Sequence, residues 1–209
     1  MTLPAQNALV RVVHASADAP AVDVLINGEV AFEGLPFKSY TAHMPLPPGT
    51  YIVSLRRAGT TTAVYSETFL VQAGVTYTFL TVGRLSGGQP LHIRGVGDDL
   101  TPPPSGNVKF RVVHGASSAP AVDVYVTQPY ITLAAAAPIL RNVPFGSGSD
   151  YFTVPAGLYQ ARATAANSRT VAIGSGPLSL SGGIVRTLVA IDPVETNGSF
   201  DFLVLPDLN

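Results

Sequence analysis

Histidine is the side chain here that both ligates transition metals and titrates near neutral pH. There are four: His14, His43, His92 and His114. The chain has no cysteine, so a transition-metal site has to be built from imidazole and carboxylate. Three of the imidazoles lie in the first half of the chain. His14 ends the valine-rich run Leu9–His14. His43 sits with Thr41 and Pro45 on the face opposite Tyr40, Ala42, Met44 and Leu46. His92 and Arg94 oppose Leu91 and Ile93. If those strand ends meet, His14, His43 and His92 are a ligand set for one copper ion with an open position. Such an ion cycles between two oxidation states, which is the chemistry of superoxide dismutation. Arg94, beside His92, is the candidate catalytic residue guiding the anion, with Arg11, Arg56 and Arg57 adding to the field.

Two features oppose that reading. No His-x-His pair supplies chelating neighbours on one strand, and no second cluster of His and Asp is present for zinc. The alternative is structural. His14 and His114 both stand just before an Ala-Pro break, where an imidazole can bond a loop carbonyl. His43 and His92 are then exposed strand residues, matched by Tyr151 and Asp201 in the second half.

Other chemistries fare less well. Asp23 and Asp123 each sit between valines and read as outward residues or as partners of a backbone donor. Asp98, Asp99 and Asp207 fall at segment ends and read as solvated; the spacing of a calcium loop is missing. No Gly-x-Ser-x-Gly element opens a helix, and no glycine loop precedes one to cradle phosphate.

The elements that must position these residues come in two sets. Arg11–Val24 returns as Arg111–Val124 with ten of fourteen residues identical, which makes two copies of one domain. Short apolar runs separated by Gly and Pro (20 and 18 residues) predict an all-β chain: two tandem immunoglobulin-like antiparallel β-sandwiches. The boundaries are 8–97 for the first, 98–107 for a stiff proline-rich linker, and 108–209 for the second. Asn27-Gly28 predicts a two-residue hairpin turn. In the second copy eight extra residues enlarge that turn into the loop Thr127–Pro138, a tolerated place for an insertion. Charged residues are 12% and the net charge is −1, which argues against a nucleic-acid partner. No apolar run is long enough to span a bilayer. Residues 1–7 read as a tail without the apolar stretch of a signal peptide.

Three elements recur in the same order: R-V-V-H-x-x-x-x-A-P-A-V-D-V, a Pro-Phe connector (Pro36-Phe37, Pro144-Phe145), and Pro-x-Gly-x-Tyr (Pro47–Tyr51, Pro155–Tyr159). Together they resemble domain-of-unknown-function family 4397. The resemblance implies bacterial, exported or envelope-associated immunoglobulin-like sandwiches, and no activity that can be placed on residues. Low charge, an apolar surface and this resemblance favour a non-catalytic structural or interaction subunit. It would sit outside the cell or in the envelope and dock onto protein subunits of an envelope or surface-layer complex. The copper-dependent superoxide dismutase is the alternative, and carbohydrate or ligand binding at loop tips is a third reading, disfavoured by the absence of tryptophan.

Overall fold

Val10 and Val12 enter a core while Arg11 and Val13 point to the other side of the same strand, as the two-residue period of a strand requires. The structure is a computed structural model and describes residues 6–195 and 198–209. Most of the expected N-terminal tail therefore lies outside the described residues. The chain divides into two compact units, Met1–Asp99 and Leu100–Asn209.

The first unit carries β1 (Ala8–His14), β2 (Val22–Ile26), β3 (Glu29–Leu35), β4 (Met44–Leu46), β5 (Gly49–Arg57), β6 (Ala63–Val71), β7 (Thr76–Val82) and β8 (His92–Asp98). They form two four-stranded sheets, ordered β4-β1-β7-β8 and β3-β2-β5-β6. Between the sheets lie Val10, Val12, Val53, Leu55, Phe79 and Ile93, with Phe69 and Tyr65 packed against them. The second unit repeats the plan with β9 (Asn107–His114), β10 (Val122–Thr127), β11 (Leu140–Val143), β12 (Phe152–Pro155), β13 (Gly157–Ala165), β14 (Val171–Leu180), β15 (Val185–Ile191) and β16 (Asp201–Leu208). Its sheets run β12-β9-β15-β16 and β11-β10-β13-β14. The chain is thus an all-β tandem of sandwiches.

The antiparallel expectation needs one amendment. β1 pairs with β7 in parallel, Leu9 opposite Thr76 through His14 opposite Thr81, and β9 pairs with β15 in the same way. Parallel neighbours need a long crossover. Here the crossover runs through the opposite sheet, so β1 and β7 meet only after four strands have been laid elsewhere.

The alternating run Tyr40–Leu46 is also shorter than its pattern suggests. Only Met44–Leu46 is a strand, and Tyr40 makes an isolated bridge to Val13. The cause is Thr41. Its amide donates to the Val12 carbonyl at 2.9 Å, but the Val12 amide donates to the Thr41 hydroxyl at 3.0 Å, so a side chain replaces the ladder carbonyl. Ser149 does the same to Val112 at 2.9 and 3.0 Å.

The Asn27-Gly28 hairpin is as expected: both residues have positive φ, 51° and 86°, as a two-residue primed turn requires. The Pro-x-Gly-x-Tyr element is a tyrosine corner, in which the hydroxyl binds backbone a few residues upstream. Tyr51 donates to the Pro47 carbonyl and Tyr159 to the Pro155 carbonyl, each at 2.9 Å. Among the described residues no helix is long and apolar enough to cross a membrane.

Candidate functional site

The repeated motif closes on its histidine. β1 ends at His14, and the chain then leaves the sheet through Ala15–Pro20. The buried ring turns back and donates from Nε2 to the Pro20 carbonyl at 3.0 Å. A carbonyl can only accept, so Nε2 holds the proton and Nδ1 is the acceptor, here of the Ser16 amide at 3.4 Å. The Pro-Phe connector wraps the same residue. The Lys38 amide donates to the His14 carbonyl, the His14 amide donates to Ser39, and the Phe37 ring meets the imidazole edge-on at 6.1 Å. The connector reaches this position by taking Lys38 to φ 65°.

His114 repeats the arrangement except at Nδ1, which is buried and accepts no hydrogen bond. Nε2 donates to Pro120 at 3.0 Å, the Gly146 amide donates to the His114 carbonyl, and Phe145 lies edge-on at 6.2 Å. Burial pushes both imidazoles below the ordinary histidine range, against the opposing pull of the carbonyl bond.

Asp23 and Asp123 are partners of backbone donors. The Asp23 carboxylate accepts from the Gly34 amide at 2.8 Å and from Arg56 Nε at 2.9 Å. Asp123 accepts from the amides of Asn142 and Asn167 at 2.8 and 3.0 Å. Gly34 and Asn142 have φ 62° and 50° at equivalent irregularities of the β2–β3 and β10–β11 pairings. Each aspartate therefore pins a bulge in an edge strand. The Gly34 amide first, and Arg56 after it, hold the Asp23 carboxyl below the usual carboxylate range.

A third repeated cluster was not legible as such. Arg11 Nε donates to the Thr78 hydroxyl at 2.8 Å, and Thr78 donates to Asp98 at 2.7 Å. Arg111, Thr187 and Asp207 do the same at 2.9 and 2.6 Å. Asp98 and Asp207 are therefore not solvated end residues: the Asp98 side chain is fully buried and Asp207 is 8% exposed. A fourth member differs between the units. His43 Nε2 lies 3.6 Å from Asp98, and Tyr151 donates to Asp207 at 3.3 Å. The signal available in the sequence was the pairing of Asp98 with Asp207 and of His43 with Tyr151 across the repeat.

The structure does not bring the nominated copper ligands together. His14 is tied to Pro20, His43 faces Asp98, and His92 Nδ1 donates to the Pro90 carbonyl at 3.0 Å. Among the described residues no group of three or more His, Cys, Asp or Glu is placed to hold a metal ion. Arg94 is exposed on β8, opposite Leu80 of β7.

The architecture defines a class: tandem β-sandwiches, each locked by a His–carbonyl knot, an Asp-pinned bulge and a tyrosine corner. A family model described as "Domain of unknown function (DUF4397)" matches residues 8–125 and 129–209, and the chain belongs to that family. No curated protein sequence matches the chain. Among solved structures, the Bacillus anthracis TIE protein is similar at 10% identity and a TM-score of 0.27, over 94% of this chain and 34% of its own. The chain thus spans about a third of that protein's length. CBMbc, a family CBM26 module of Eubacterium rectale Amy13K solved with maltoheptaose, is similar at 11% identity and a TM-score of 0.30, over 96% of this chain and 98% of its own. Likenesses this distant carry no argument about a site or ligand.

Proposed function

We propose that the protein is a non-catalytic structural or interaction subunit of a bacterial cell envelope or surface layer. The observation that carries this reading is the fate of the repeated motif. His14 and His114, Asp23 and Asp123, and Arg11 and Arg111 bind equivalent fold partners in both units. A motif kept in two copies for such bonds specifies a scaffold. The outer face of the β3-β2-β5-β6 sheet adds a surface suited to association. Ile52 and Leu70 are more than half exposed there, among Thr50, Ser66 and Thr68, and Val30 and Val64 flank them.

The test is fractionation of the native host with cross-linking, alongside metal analysis and a dismutase assay on wild type and His43→Ala. Recovery of the protein in the envelope, cross-linked to an envelope subunit and without dismutation, meets the reading. Stoichiometric copper with dismutation lost in His43→Ala establishes the redox enzyme instead. Recovery as a free cytosolic monomer overturns the envelope assignment.

A further inference from the structure

The loop Thr127–Pro138 has no counterpart in the first unit, where Asn27-Gly28 turns the chain in two residues. It is held down from below. Arg162 donates through Nη1 to the Ile131 carbonyl and through Nη2 to the Thr127 hydroxyl. Arg169 Nη1 donates to the carbonyls of Leu133 and Ala136 and stacks over the buried Tyr125 ring. Leu133 is buried beneath the loop. The first unit has Ser54 and Thr61 where these two arginines stand, so the clamp is found only in the unit that has the loop.

What the loop displays is Tyr130. The residue is 83% exposed and its φ is 63°. Exposure of a large aromatic ring and left-handed backbone at a bulky residue are each unfavourable. They persist here because the Gln160 carboxamide accepts the Tyr130 amide at 3.2 Å and the arginines fix both sides. A costly conformation held by its surroundings is a mark of function. The ring borders a shallow, open depression lined by Gln128, Pro129, Tyr130 and Leu158. None of the four carries a charge. One aromatic face, two apolar neighbours and one carboxamide suit a neutral ring with an apolar face and a hydroxylated edge. The negative face of the phenol ring attracts C–H groups, and the Gln128 amide can both donate and accept. A polyproline helix docks on grooves lined by aromatics, and only one aromatic lines this recess.

We infer that the inserted loop of the second unit is a saccharide-binding platform, on which a neutral pyranose ring stacks against Tyr130 and bonds Gln128. The inference stands apart from the envelope reading and survives its failure.

The test is amide NMR titration of the full chain with cellohexaose, maltohexaose and chitohexaose separately, with decaproline as comparison. At least one hexasaccharide shifts the amides of Gln128, Tyr130, Ile131 and Leu158 with a Kd on the order of 1 mM or tighter. Tyr130→Phe keeps the ring and binds within about threefold of wild type, whereas Tyr130→Gly weakens binding by about tenfold or more. Glycine adopts positive φ without strain, so Tyr130→Gly melts no lower than wild type, which separates lost binding from lost fold. Absence of shifts with all three sugars at about 10 mM overturns the inference. So does undiminished binding in Tyr130→Gly, a lower melting point for it, or decaproline moving these amides when the sugars do not.

Discussion

His14 and His114 meet a conflict when the pH falls. Each is buried, and each uses one ring nitrogen to donate to a proline carbonyl. Protonation would place a charge in a site that already pushes the pKa below its ordinary 6.5. Between the lowered folded value and 6.5 the unfolded chain binds more protons than the folded one, so stability falls as the pH drops through that window. Above 6.5 both states are neutral and this contribution is flat. Thermal melts at a series of pH values will show the midpoint falling on the acid side, and His14→Gln, which cannot take up a proton, will lessen the fall. At constant neutral pH, His14→Phe removes the donor to the part-buried Pro20 carbonyl, a loss of about 0.5–1.5 kcal/mol, since the exposed proline lets water replace part of the bond. The bond to a loop carbonyl could be read from the Ala-Pro break. The burial of Asp98 and Asp207 could not, because both lie beside irregular segments and nothing local in the sequence announces that Thr78 and Thr187 face them across neighbouring strands.

At the scale of elements, the two units solve one loop problem with opposite arrangements. After β7 the chain turns tightly at Gly83, where Arg84 donates to Gln89 and Leu91 donates to Arg84. Gly83 has φ 89°, and a Cβ there would collide with the Pro90 carbonyl. No side chain fits, so the carboxylate that ties this loop to the one after β1 comes from the other side: Asp18 accepts the amides of Leu85 and Ser86 at 2.9 and 3.0 Å. In the second unit Asp192 occupies the position of Gly83, and Ser118 that of Asp18. Asp192 accepts the amides of Ser117 and Ser118 at 2.8 and 2.9 Å and both of their hydroxyls at 2.6 Å. Gly83→Ala therefore combines positive φ with a backbone collision and costs on the order of 3 kcal/mol. Asp192→Ala removes the acceptor of four donors, strands the two of buried Ser117 and costs about 2–3 kcal/mol. Urea denaturation of each variant measures both losses, and a value under about 1 kcal/mol for either would mean the loop relaxes. The hairpin at Asn27-Gly28 was legible because its chemistry is local. The parallel β1–β7 pairing was not: alternation tells which face a residue takes and says nothing about strand direction. Thr41 hid the late start of β4, since a threonine in an alternating run reads as strand whether its hydroxyl or its carbonyl completes the ladder.

For the whole molecule, the duplication is a duplication of plan with the core refilled. The first unit packs Val53 and Leu55 on β5 against Val10 and Ile93. The second has Ala161 and Ala163 at the corresponding places on β13, facing Phe110 and Phe202 where the first has valine and isoleucine. Bulk has moved from one sheet to the other while the space between them stays filled, as close packing demands. Such an exchange works only as a set. Leu55→Ala opens a cavity that Val10 and Ile93 cannot close and costs about 2–5 kcal/mol. Ala163→Leu overfills a core in which Phe110 and Phe202 already fill the facing space and costs about 1–3 kcal/mol. Both are read by hydrogen exchange, because each unit has its own core cluster and the faster exchange should stay with the unit that carries the change. Leu55→Ala will speed the amides of Val12 and Phe79 and leave those of Val112 and Leu188 near their wild-type rates; Ala163→Leu will do the reverse. Equal acceleration in both units from either variant would show that the two cores open as one cooperative body, against the partition the contacts describe.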